Sequence, residues 1–210
     1  MIATSWRSHG RRAESEPAGA SAPAPVIVAF QGERGAYGDL AIERRWGAGA
    51  LRVRCWDFGG VVSAVARGEA DFGVLPVHNV VVGDIEETRA AIARGALLVE
   101  DEVTVPVRHC VLGTREGKPE SLRELFSHPV ALAQCTSWLR ARPSVRGCAA
   151  YDTAGAAREV AARRRPWEGA VASEECATRY GLQVIARDIG DRPDNATRFA
   201  IVARRACRGA

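Results

Sequence analysis

The sequence is short of several things at once, and each shortage removes a class of protein. It holds one methionine, three tyrosines and 6% aromatic residues in total. That is too few for the interleaved basic and aromatic runs that stack nucleobases. No apolar run approaches the roughly 20 residues a bilayer crossing needs, so no membrane partner is expected. Lys118 is the only lysine among 29 basic residues, and the arginines are scattered among 25 acids. The net charge of +4 therefore reads as a solvated surface, and no nucleic-acid partner is expected. No C-x-x-C pair occurs, and neither the cysteines nor the four histidines fall at ligand spacing, so no metal is expected. Cys55, Cys110, Cys135, Cys148, Cys176 and Cys207 each lie in or beside an apolar segment. Buried free thiols in a reducing, cytoplasmic setting fit that placement.

What is present is enough for a core: 47% of the 210 residues are hydrophobic, the material of one domain or two small lobes. Residues 1–25 differ from the rest, being rich in Ala, Ser, Pro, Gly and Arg without apolar periodicity or a signal-peptide h-region. They read as a disordered extension. From Val26 onward short apolar runs alternate with amphipathic stretches. Strands are expected at Val26–Phe30, Leu51–Trp56, Asp71–Val77 (broken at Pro76), Val145–Ala149, Ala170–Ala172, Val184–Ala186 and Phe199–Ala203. A long β-rich segment, Ala96–Leu112, has the length of a crossing between lobes. Helices are expected up to about Trp46, over Gly59–Arg67, Ile85–Arg94, Pro129–Arg142 and Asp152–Arg165, and from a Ser173 cap to Tyr180, stopped by Gly181.

Strands alternating with helices imply an α/β fold with parallel-type sheets, here two α/β lobes with a cleft between them. Lobe 1 would take about 26–104 plus 190–205, and lobe 2 about 105–189. Ligands in such folds bind at the carboxyl ends of strands. Three polar clusters sit at such ends. Asn79, after Pro76-Val77-His78, has both donor and acceptor for a carboxylate or carbonyl, although a turn-forming Asn is the commoner role. Ser127-His128-Pro129 opens a helix on which Gln134 flanks an apolar stripe. A buried Gln there needs a partner, or costs about 1–3 kcal/mol. Thr197-Arg198-Phe199 leads the last strand, where an Arg can grip a carboxylate and a Thr can deliver a proton. No Ser-His-Asp set, H-E-x-x-H, P-loop or G-x-G-x-x-G is present. The residues alone stop at a two-lobed α/β protein whose cleft binds a small anion.

Taken in order, these clusters resemble the prephenate dehydratase family over Val26–Arg204. Phe30 to Tyr37 looks like its glycine-rich first loop, and Phe72 to Asn79 like its GVxPxEN stretch. Ser127 to Cys135 is similar to SHPxxLxQC, Tyr180-Gly181-Leu182 to YGL, and Asn195 to Phe199 to NxTRF. The resemblance implies two α/β lobes of the type II periplasmic-binding-protein kind. It implies Thr197 as catalytic acid, with Asn79, Ser127, Gln134, Arg198, Phe199, His78 and Thr153 around a dicarboxylate substrate, prephenate. It also implies phenylalanine biosynthesis, no cofactor, and a possible homodimer.

The departures run in one direction. His78-Asn79-Val80 stands for Glu-Asn-Ser, Ala36 and Gly38 replace Thr and Ser, and Asp152 replaces the Ser of an STA motif. His78, charged below about pH 6.5, is expected to pair with a substrate carboxylate. The ACT regulatory domain that commonly follows in the family is not expected, nor is phenylalanine feedback through it. Rival readings are a non-aromatising prephenate decarboxylase, an arogenate dehydratase, and a non-catalytic small-anion sensor.

Overall fold

The computed structural model describes residues 24–95 and 97–205. The expected disordered extension lies outside them apart from its last two residues, and so does Cys207. The apolar run after Pro25 forms β1 (Ile27–Gln31), which pairs in parallel with β2 (Leu51–Cys55). Parallel pairing requires a crossover, and α1 (Tyr37–Trp46) supplies it with Ala41 and Ile42 turned inward. A second crossover, α2 (Phe58–Arg67), buries Val61, Val62, Ala64 and Val65 and leads to β3 (Phe72–Asn79) on the other side of β1. Asp57 starts α2 by accepting the Gly60 N–H at 2.7 Å, a cap worth about 1 kcal/mol. Gly68, at φ 79°, ends it.

The strand expected to break at Pro76 instead runs on to Asn79 with a bulge. Against the final strand, Phe199 pairs with Pro76 and Arg198 with His78, leaving Val77 extra. A proline, having no N–H to give the ladder, is tolerated at such an irregularity. The short β4 (Gly83–Asp84), α3 (Glu86–Arg94) and β5 (Leu97–Pro106) follow.

The segment expected as one long crossing strand is two. β5 ends at Pro106, and β6 (Cys110–Gly113) belongs to a second sheet. That sheet is completed by β7 (Glu124–Ser127), not foreseen from the sequence, with α4 (Pro129–Ala133), α5 (Thr136–Arg140), β8 (Arg146–Ala149), α6 (Thr153–Arg163), β9 (Glu168–Ala172), α7 (Glu175–Tyr180) and β10 (Gln183–Ala186). The chain then returns, and β11 (Ala196–Arg204) inserts between β3 and β5, antiparallel to both. The sheet orders are β2-β1-β3-β11-β5 and β10-β6-β9-β7-β8. Both are mixed rather than parallel, because the two crossings between them reverse the chain direction.

Two more local expectations are corrected. The single helix Pro129–Arg142 is broken after Ala133. The Asp191 carboxylate accepts the Thr136 and Ser137 amides at 2.9 and 3.0 Å, and the Asp191 N–H donates to the Gln134 carbonyl at 2.7 Å. A distant residue thus caps a second helix start inside the run. Ser173 does not cap α7: its hydroxyl donates to the Gly35 carbonyl at 2.8 Å. Each sheet is packed on both faces. Phe30, Ile42, Leu75, Leu112, Leu125 and Ile201 are fully buried, each contributing about 1.5–3 kcal/mol of transfer free energy.

Candidate active site

A cleft of about 530 Å³ lies between the sheets, walled by both. Five helix starts reach it: Tyr37 and Gly38 of α1, Phe58 of α2, Ile85 and Glu87 of α3, Val130 of α4 and Thr153 of α6. Helix N-termini carry unpaired amides and a partial positive charge. Asp57 and Asp152 cap α2 and α6 with their own carboxylates. Ala36 has no side chain to do so for α1, whose first amides stay available to an anion. Among the described residues no arginine or lysine lines this cleft, and its acidic residues are Asp57, Glu87 and Asp152.

At one wall the bulge in β3 turns Asn79 inward, where it faces Thr197 on β11. The Asn79 carboxamide oxygen accepts the Val81 and Val82 amides, both at 3.0 Å, which fixes its orientation. Its Nδ2 then donates to the Thr197 hydroxyl at 2.8 Å and to Asn195 Oδ1 at 2.9 Å. Asn195 Nδ2 passes the network to Gln134 Oε1 at 3.0 Å, and the same oxygen lies 3.0 Å from His109 Nε2. An amide oxygen can only accept, so His109 carries its proton on Nε2. His109 Nδ1 sits 3.2 Å from the Tyr37 hydroxyl. Burial lowers the His109 pKa from that of a free imidazole, while the bond to Gln134 opposes the shift. A continuous chain of polar side chains therefore joins Thr197 to both crossings between the sheets.

Of the residues singled out from the sequence, Asn79, Gln134, Thr153, Thr197 and Phe199 line the cleft together. Three do not. Successive side chains on a strand point to opposite faces, so β11 directs Thr197 and Phe199 inward and Arg198 outward. Arg198 lies in a separate groove, 3.5 Å from Glu102. The Val77 bulge places His78 on the outer side as well, where its Nδ1 meets Asp84 Oδ1 at 2.7 Å; that bond holds the Asp84 carboxyl below its usual range. Ser127 is fully buried, its hydroxyl donating to the Val171 carbonyl at 2.6 Å. His109, Asn195, Tyr37 and Asp152 were not among the expected site residues. Asn195 stood in a quoted motif and Asp152 at a noted departure, but His109 carried no signal beyond its place in the crossing.

The glycine-rich loop of the first sheet is clamped onto the second. The Glu33 N–H donates to Asp152 Oδ2 at 3.2 Å, and Tyr180 donates its hydroxyl to the Arg34 carbonyl at 2.6 Å. Gly35 has φ 92°, and a Cβ there would stand 2.8 Å from the Cys176 sulfur, so only glycine fits. The Glu33 carboxylate is enclosed by Arg54, by Arg158 at 3.2 Å and by the Tyr151 hydroxyl at 3.2 Å. Burial raises the Asp152 carboxyl above its ordinary range against the pull of the Gly155, Glu33 and Thr153 amides. The described cysteines are free thiols, but Cys55 and Cys148 are only half-buried, contrary to expectation. Burial pushes the Cys135 and Cys176 thiols up to about 12, which leaves them inert.

Two mixed α/β units around a cleft lined by helix N-termini define a two-lobed ligand-binding or catalytic protein. The particular family follows from comparison. Residues 28–207 match the family model described as prephenate dehydratase, and the chain belongs to that family. It is 42% identical, over 85% of its length and 46% of the other's, to arogenate dehydratase/prephenate dehydratase 2, chloroplastic, of Arabidopsis thaliana. It is 30% identical, over 85% of its length and 47% of the other's, to a bifunctional chorismate mutase/prephenate dehydratase of Enterobacter agglomerans. A solved prephenate dehydratase in complex with L-Phe, from Arthrobacter aurescens, superposes with a TM-score of 0.79 at 31% identity, covering 87% of this chain and 61% of that one. The chain spans about half the length of the curated relatives it matches. No helix among the described residues is long and apolar enough to cross a membrane.

Proposed function

We propose that this chain catalyses the decarboxylating dehydration of prephenate or its amino counterpart arogenate, a carbon–oxygen lyase reaction of phenylalanine biosynthesis, with Thr197 as the proton donor. One observation carries the reading: the acceptor side of the Thr197 hydroxyl is filled by Asn79 at 2.8 Å, while the residue lines the cleft. Its hydrogen is thereby left for a bound ligand. Transfer of that proton to the ring hydroxyl lets the C–O bond break and water depart. The ring carboxylate leaves as carbon dioxide, and its bonding pair completes the aromatic ring. The reaction consumes one proton, so solvent restores Thr197 afterwards.

The chemistry asks for little else. Aromatisation makes the reaction strongly downhill, and a positioned proton donor contributes about 10²–10⁴-fold. Threonine is a weak acid, so alignment through Asn79, Asn195 and Gln134 supplies the rest. The uncapped start of α1 is the seat for a substrate carboxylate, and Thr153 and Phe199 shape the pocket. Free thiols among the described cysteines suit a reducing compartment.

The test is to supply prephenate and arogenate separately and follow the product by ultraviolet spectrum. The reading predicts an aromatic product from at least one of them. Decarboxylation that leaves a cyclohexadiene would establish the non-aromatising reaction instead, and binding without turnover would make the protein a sensor.

A further inference from the structure

We propose that Asp152 forms an ammonium subsite in the cleft and directs the enzyme towards the amino-bearing substrate over its keto counterpart; this rests on the dehydratase reading. Substrates of this reaction class carry two carboxylates, yet no arginine or lysine lines the cleft among the described residues. Arg54 and Arg158 both pair with Glu33, which does not line the cleft. A pocket that relies on amides for its anions, and adds carboxylates of its own, is poorly matched to a purely anionic ligand. It is matched to a zwitterion.

Of the three acidic residues on the wall, Asp57 and Glu87 are exposed, and water screens them. Asp152 is 8% exposed, and no cationic side chain among the described residues comes within 4.0 Å of it. The Gly155 and Glu33 amides both donate to its Oδ2. The Thr153 amide also favours the charged carboxylate, and Oδ1, which lies towards Gly32, has no side-chain partner among the described residues. A buried carboxylate without a counter-charge is a standing cost, and a serine or asparagine would cap α6 as well. The start of α6 favours a negative cap, yet this charge is buried with no cationic side chain among the described residues to pair with it. A ligand ammonium at Oδ1 supplies the missing partner as a charge-assisted hydrogen bond. A keto oxygen in the same place meets only lone pairs.

The experiment measures kcat/KM on arogenate and on prephenate for the parent chain, Asp152→Asn and Asp152→Ser. Both substitutions keep a capping oxygen and remove the charge. The expected result is a parent preference for arogenate, and a fall of at least about tenfold in the arogenate-to-prephenate ratio in both variants, whatever loss the two substrates share. An unchanged ratio, with both activities reduced alike, reduces Asp152 to a helix cap and overturns the proposal. So does a parent that prefers prephenate. A parent that turns over neither substrate refutes the dehydratase reading instead. In that case calorimetric binding of phenylalanine against phenyllactate still decides the subsite: a preference for phenylalanine that Asp152→Asn abolishes supports it, and equal binding sinks it.

Discussion

Asn79 holds Thr197 from the acceptor side: the carboxamide nitrogen on β3 donates to the hydroxyl oxygen on β11 at 2.8 Å, across paired positions of adjacent strands. The Val81 and Val82 amides lock that carboxamide so that it cannot flip. The hydroxyl proton is thereby directed away from the protein. Replacing Asn79 by Asp puts an acceptor where the donor stood, so the hydroxyl turns to bond it. We expect Asn79→Asp to lower kcat by about 10²-fold, the lower range for a lost positioned proton donor, with Asn79→Ala no worse. Steady-state kinetics on both variants check this.

Asn195 and Gln134 carry the same network between the two sheets. Truncating Asn195 to Ala leaves buried groups on Asn79 and Gln134 with fewer partners, at about 1–3 kcal/mol. Urea denaturation is expected to show that loss, accompanied by a fall in kcat larger than any rise in KM. A stability loss with normal kcat would mean that the network only holds the fold.

Arg198 and His78 face away from the cleft, and Ser127 is spent on a backbone carbonyl. Arg198→Ala and His78→Ala should each leave KM within about twofold of the parent, since exposed ion pairs of this kind contribute about 0–1 kcal/mol. Ser127→Ala should register as lost stability. A tenfold rise in KM in either of the first two variants would contradict the facing assigned to them.

Burial holds the His109 pKa below the 6.5 of a free imidazole. As pH falls, the unfolded chain takes up that proton before the folded one does. The stability contributed by neutral His109 is complete above about pH 6.5 and is lost as pH drops through that value towards the folded pKa. Denaturation midpoints at about pH 7.5 and 5.5 should fall more in the parent than in His109→Gln. Equal falls would place the titration elsewhere.

Much of this was legible in the residues. The strands around Val28, Val53 and Val74, the cap at Asp152 and the stop at Gly181 are local signals that were read correctly, whereas the Ser173 cap and the break at Pro76 were local readings that tertiary pairing overrode. What the sequence hid depends on contacts from afar. The break at Gln134 exists because Asp191, more than fifty residues on, takes the amides of Thr136 and Ser137. The outward turn of His78 depends on a bulge that appears only once β3 meets β11. Arg198 was misplaced for a simpler reason: a motif lists neighbours together, while a strand sends neighbours to opposite faces. His109 has no motif at all, and becomes visible only when Gln134 is seen beside it.

The most direct measurement is single-turnover conversion of prephenate and of arogenate by the parent chain, Thr197→Val and Thr197→Ser. The parent should yield an aromatic product. Valine, with the same shape and no hydroxyl, should lose two or more orders of magnitude in rate, with only a modest loss of stability because Asn79 Nδ2 keeps Asn195 Oδ1 and the Ala196 carbonyl as acceptors, and serine should recover much of the rate. A valine variant that retains the parent rate would contradict the account, because the proton would then come from somewhere other than Thr197.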